Sequence, residues 1–158
     1  VQPDEDNMLA VCTYMTKVAL DARIIDPEAE EYDGGKVALC AEKIIEINKA
    51  NPGTAQAVFC DTNTPKKDAF SVYQALRDRL VRSGEFTENE IAFVHDAAND
   101  KQRLAMFEKV NNAEIKIIIG STGKLGTGVN IQRKLSALHH LDAPYRPSEV
   151  EPIQRNFL

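Results

Sequence analysis

Between Gly120 and Gly128 the chain reads GSTGKLGTG. Hydroxyls at Ser121, Thr122 and Thr127, an ammonium at Lys124 and bare backbone at Gly123, Gly126 and Gly128 are groups that hold phosphate oxygens. The nearest known pattern is the P-loop, GxxxxGK followed by Ser or Thr. Here Leu125 follows Gly123-Lys124, and Ile118 stands where the first glycine belongs, so that pattern fails at two fixed points. The same composition also suits a plain glycine-rich turn between a strand and a helix. A different chemistry is open to Asp61, Asp96 and Asp142, each expected just past a strand, where carboxylates could hold Mg²⁺ for phosphoryl transfer. His139-His140 promises less. Neighbours on a strand point to opposite faces and no other His or Cys stands at ligand spacing, so a structural role and no metal site are expected.

The elements that must position these groups follow from periodicity. Ile115 to Ile119 is a β-branched apolar run, the composition of a strand buried on both faces, and the phosphate-suited loop leaves its carboxyl end. Ala55 to Cys60, Ile91 to His95 and Leu135 to Leu141 read as further strands. Between them, one helix should bury Ala69, Val72, Tyr73, Leu76 and Leu80, start at Thr64-Pro65 and stop at Gly84. Another should carry Leu104, Phe107 and Val110 inward. Thr87 to Glu90 has the form of a capping box. Alternation of this kind calls for a parallel, doubly wound sheet with right-handed crossovers. The loops at Asp61 to Lys67, Asp96 to Lys101, Ser121 to Gly128 and Asp142 to Arg146 then share one rim, where a site is expected. Lys66-Lys67 is expected in a first helical turn, where two cations oppose the helix dipole and a phosphate contact would explain them. Upstream, Met8, Val11, Cys12, Met15 and Val18 form a helical stripe, Asp26 to Gly35 an acidic, turn-rich connection, and Val37, Cys40, Ile44 and Ile47 a second stripe that ends at Asn51-Pro52-Gly53.

With 158 residues, 43% of them hydrophobic and 27% charged, the chain has the composition of one globular domain with an N-terminal appendage. A membrane span and a leader peptide are not expected, and a cytoplasmic location is. Cys12, Cys40 and Cys60 are read as buried small hydrophobes in a reducing compartment. The net charge of −5 argues against wholesale nucleic-acid binding, so any such contact must be local.

STGKLGTGVNI, Ser121 to Ile131, resembles motif V in the second RecA-like domain of superfamily 2 helicases, closest to the Swi/Snf-type translocases. Asp142, Pro144, Arg146, Pro147 and Glu151 resemble the lead-in to motif VI, Val58 to Asp68 the motif IV region, and Phe93 to Asn111 the motif that follows it. With HHLDAPYRP, His139 to Pro147, the likeness extends to the helicase portion of the helicase–DNA methyltransferase proteins of bacterial mobile elements. It runs from about Lys36 to the end. Motif VI departs from the family. Gln154 and Arg155 match its first two positions, but the arginine finger has no counterpart before Leu158.

The resemblance implies a three-layer α/β/α, RecA-like domain over residues 36–158, broken off at motif VI, behind an N-terminal helix and acidic linker at 1–35. It implies the C-terminal half of an ATP-dependent DNA motor. ATP and Mg²⁺ would be held mainly by an N-terminal RecA-like domain of the same polypeptide, with a methyltransferase domain as a further partner. In that scheme Gln154 and Arg155 serve catalysis, Gly126, Gly128 and Asn130 shape motif V, and Ser121, Thr122, Lys124, Lys66 and Lys67 meet the nucleic acid. Two other readings stand beside it, the Mg²⁺-dependent phosphoryl-transfer enzyme and a non-catalytic interaction module.

Overall fold

The computed structural model describes residues 7–126 and 129–142. Four strands, β1 (Ala55–Phe59), β2 (Ile91–Phe93), β3 (Ile117–Gly120) and β4 (Leu135–His140), form one sheet in the order β2-β3-β1-β4, with every pair parallel. The apolar runs in β1 and β3 take the two inner places, and both strands are buried along their whole length. Alternate residues of these strands feed two cores. Val58, Cys60, Ile117 and Ile119 pack with Val37, Ala41 and Ile44 of α2 (Lys36–Ala50) and with Val72, Tyr73, Leu76 and Leu80 of α3 (Val72–Arg82). Ala55, Ala57, Phe59 and Ile118 pack with Phe107 and Val110 of α4 (Asp100–Asn111), Leu125 of the short α5 (Thr122–Leu125) and Ile131. The result is a three-layer α/β/α arrangement, compatible with a RecA-like domain.

The connection from β1 passes over β3 to β2 on one face. Those from β2 to β3 and from β3 past β1 to β4 run in the opposite direction on the other face. Direction and face change together, which keeps the crossovers of one hand, as parallel βαβ units require.

Local chemistry fixes most boundaries. The Glu90 carboxylate accepts from the Thr87 N–H at 3.1 Å, the capping contact expected there, and a single 3₁₀ turn delivers the chain into β2. Gly84 closes α3 with φ of 80°, a conformation open to glycine. Gly120 ends β3 for a different reason. A Cβ at this position would stand 3.0 Å from Val94 Cγ2 and 3.2 Å from Leu125 Cβ, both on buried residues. Gly120→Ala is therefore expected to cost about 1–2 kcal/mol through overpacking, read as a lower urea midpoint with an unchanged slope.

Several expectations need correction. α3 does not begin at Thr64-Pro65. Asp68 has φ of 58°, which interrupts any helix running on from Pro65, and Ser71 is the N-cap, its hydroxyl accepting from the Gln74 N–H at 3.4 Å. Lys66 and Lys67 thus lie in a loop, and the dipole argument for them lapses. Ala69 and Leu104 are exposed, while Phe107 and Val110 are buried as expected. β2 is three residues long and passes into a 3₁₀ turn at Val94–Asp96. α1 (Met8–Leu20) is exposed along nearly its whole length, its apolar stripe and Cys12 included, so that Cys12 is not buried, and only Leu20 joins the core. The acidic connection is partly tied down, since Glu31 pairs with Arg79 at 2.6 Å and with Arg82 at 3.0 Å. Among the described residues no helix is long and apolar enough to cross a membrane.

Candidate functional site

Open parallel sheets bind ligands where adjacent strands send their carboxyl-end loops to opposite faces. Here that point lies between β1 and β3. The loop after β1 leads to α3 on one face, and the loop after β3 enters α5 on the other.

The loops are laced by carboxylates. Asp142, just past β4 and only 6% exposed, accepts from the Asp61 N–H at 2.9 Å and the Thr62 N–H at 2.6 Å. The Asp61 carboxylate in turn accepts from the Thr122 N–H at 2.7 Å and the Thr122 hydroxyl at 2.6 Å. Three strand ends are thereby joined through two side chains. Below them, Tyr73 donates its hydroxyl to the Cys60 carbonyl at 2.6 Å, and Asn63 accepts from the Val72 N–H at 2.7 Å. Burial, then the charge of Asp142, pushes the Cys60 thiol up to about 12, so this cysteine is no nucleophile.

Each expected site residue can now be placed. Ser121 is the N-cap residue of α5, and its carbonyl accepts from the Lys124 and Leu125 N–H groups. Thr122 commits its hydroxyl hydrogen to Asp61, so it cannot donate to a phosphate while that bond stands. Lys124 is exposed at the end of β3. Burial, and next the charge of Lys124, lowers the pKa of His95, which places that ammonium beside the loop after β2. Lys66 and Lys67 are exposed in the loop after β1, and Lys101 in the first turn of α4. Among the described residues no carboxylate pairs with any of these four lysines. Gly126 is buried, and its N–H donates to the Thr122 carbonyl at 2.8 Å. Asn130 is exposed, and its carbonyl accepts from Asn111 Nδ2 at 2.8 Å. Gly128, Gln154 and Arg155 lie outside the described residues.

Two of the three aspartates weighed as Mg²⁺ ligands have other occupations, and the third, Asp96, is exposed. Asp61 and Asp142 spend carboxylate oxygens on N–H and O–H donors, and among the described residues no group of three or more His, Cys, Asp or Glu side chains is arranged to hold a metal ion. The two histidines diverge as strand neighbours should. His140 stacks on Phe59 with centroids 5.1 Å apart, and His139 Nε2 lies 2.7 Å from Gln56 Oε1. Gln56 donates its amide to the Ile44 carbonyl at 2.9 Å, so its Oε1 must accept, and His139 is the Nε2–H donor.

Three structural residues escaped sequence reasoning. Gln56 sits inside an apolar strand, Asn111 near the end of a helix, and Asp142 at a strand end where it resembled a ligand. The buried Asn111 clamps the returning chain at Asn130 and Arg133. In each case a buried polar group has its partners some 12 to 83 positions away, beyond any local pattern. Compared with known proteins, the chain matches no family model, no curated protein and no solved structure.

Proposed function

We propose that this chain is the C-terminal motor half of an ATP-dependent DNA helicase or translocase of superfamily 2, of the Swi/Snf-like kind allied to helicase–methyltransferase proteins. The observation that carries the reading is the rim: Lys66, Lys67, Lys101 and Lys124 stand exposed, with no carboxylate partner among the described residues, at the carboxyl ends of β1, β2 and β3. Exposed cations on one edge of a parallel sheet suit a phosphate backbone read without base contacts. The phosphate-suited loop at the strand switch and the three-layer fold support the same reading.

The described residues offer no cradle for a triphosphate. The loop lacks the P-loop pattern, and the Thr122 N–H is engaged by Asp61. This fits a division in which an N-terminal RecA-like domain of the same polypeptide holds ATP and Mg²⁺. This half would close the cleft and present Gln154 and Arg155, with a methyltransferase domain as a further neighbour. The parent protein is then the NTP hydrolase, acting in the cytoplasm on DNA.

The test is ATP hydrolysis. The 158-residue chain is expected to show none, whereas a polypeptide extended by the N-terminal domain and a complete motif VI should hydrolyse ATP faster with DNA present. Removing the arginine finger of that longer protein should cut its rate by about three to five orders of magnitude. In the same protein Lys124→Ala should lower the salt slope of DNA binding by about one. Turnover by the short chain that vanishes with Lys124→Ala would overturn the reading, because the glycine-rich loop would then be the nucleotide site itself.

A further inference from the structure

Among the described residues two buried side-chain nitrogens lack a hydrogen-bond partner, Arg77 Nε and His95 Nδ1. The first is accounted for, since the Arg77 guanidinium lies 3.8 Å from the centre of the Phe93 ring and donates from Nη2 to the Ile91 carbonyl. His95 has no such explanation. It stands in the turn that leaves β2 at the rim, and neither of its ring nitrogens hydrogen-bonds to a described residue. Tyr73 meets the imidazole edge-on with centroids 5.4 Å apart, and spends its own hydroxyl on the Cys60 carbonyl. Nδ1 is enclosed, whereas Nε2 is not, and the residue as a whole is partly exposed. A proton on Nδ1 would be an enclosed donor without an acceptor, so the neutral ring carries its hydrogen on Nε2.

On the reading of the rim as a nucleic-acid surface, we propose that His95 is a further contact, donating Nε2–H to a phosphodiester oxygen of the strand that Lys124 meets. The turn of His95 packs against α5, which carries Lys124, and the strands behind them pair in register, Phe93 opposite Ile119. Neighbouring strands are about 5 Å apart, so the two donors leave adjacent points of one edge. The charged groups that face the ring are Lys124, Asp96 of its own turn and Asp61 of the loop after β1, and Tyr73 is the titratable group behind it. Burial and then Lys124 outweigh the two carboxylates and hold the imidazole uncharged at neutral pH. His95 is therefore a different kind of donor from the lysines. A neutral group adds a hydrogen bond to a phosphate without displacing a counterion, so its contribution does not enter the salt slope.

NMR titration of the 158-residue chain with an oligothymidylate at pH 8, over a series of salt concentrations, tests this. The imidazole nitrogens of His95 should report the Nε2–H tautomer in the free chain, and the Nε2 signal should shift on binding. His95→Phe should weaken binding about tenfold, the worth of one hydrogen bond to a charged group, with the salt slope unchanged. Lys124→Ala should lower that slope by about one. His95→Gln keeps a donor at nearly the same place and should keep most of the affinity. Parent-like binding by His95→Phe, with Lys124→Ala still lowering the slope, overturns this contact alone. Equal losses in His95→Phe and His95→Gln also overturn it, because the ring would then only pack. An oligothymidylate that does not bind overturns the nucleic-acid reading of the rim, and this contact with it.

Discussion

Replacing Asp142 with alanine is expected to destabilise the fold by about 2–4 kcal/mol, because it strips two partly buried N–H groups of a charged acceptor. Those groups are the Asp61 and Thr62 amides, at 2.9 and 2.6 Å from the carboxylate. For a chain of this size the loss lowers the melting temperature by about 5–15 °C. Asp142→Asn should be no milder, since one arm of the amide turns a donor towards donors. Urea titration with an unchanged slope is the appropriate measurement. A loss below about 0.5 kcal/mol in both variants would mean that water replaces the carboxylate and that the lacing contributes little. Cys60 gives a second readout, because its Sγ lies 3.9 Å from Asp142. Its reactivity towards a thiol reagent should rise in either variant.

The second large effect is with pH. Burial, then the nearby His140 and Lys43, lowers the pKa of His139 to about 4. The unfolded chain protonates this imidazole near pH 6.5, whereas the folded chain resists down to about 4. The unfolded state thus binds more protons within that window. Stability is full above pH 6.5, falls as pH drops through the window, and the loss reaches about 3 kcal/mol by pH 4. The hydrogen bond gives the reason: His139 already donates Nε2–H to Gln56, and a second proton charges a ring with little access to water. Burial lowers the pKa of His95 and His140 as well, so their contributions have the same sign. Chemical denaturation at a series of pH values, with His139→Gln alongside, isolates the effect. The variant can still donate to Gln56 but cannot titrate, so its curve should flatten between pH 6.5 and 4. Parallel curves would assign the acid lability to other groups.

What the sequence made legible was periodic. The β-branched run before Gly120 and the apolar run before Cys60 identified the two inner strands, because a strand buried on both faces is apolar at nearly every position, Gln56 being the exception. The stop at Gly84 and the capping residues Thr87 and Glu90 were legible because turn and cap chemistry is local. The start of α3 was not. Thr64-Pro65 is a good local start, but Ser71 is another, and Asp68 in a left-handed conformation decides between them. The rim followed from topology, which brings Lys66, Lys101 and Lys124 to one edge. Its internal bonding did not, because Asp61 looks the same in sequence whether it faces a ligand or Thr122. The stripe of α1 was recognised, but its exposure was not, since periodicity shows that a helix has an apolar face and not whether a neighbour covers it.

The strand order has a consequence for biosynthesis. β1 emerges first, yet its neighbours in the sheet are β3 and β4, whose residues are made some 60 to 80 positions later. Until then both edges of an apolar strand lie unpaired, the state in which chains join to one another. α2 precedes β1 and packs on it, so one face can be covered early, but the hydrogen-bonding edges cannot. Closing these long connections before any pairing is gained makes folding slow relative to a helical chain of equal length. The carboxylate that joins the strand ends, Asp142, is made after all four strands. The rim therefore takes shape after the sheet that carries it.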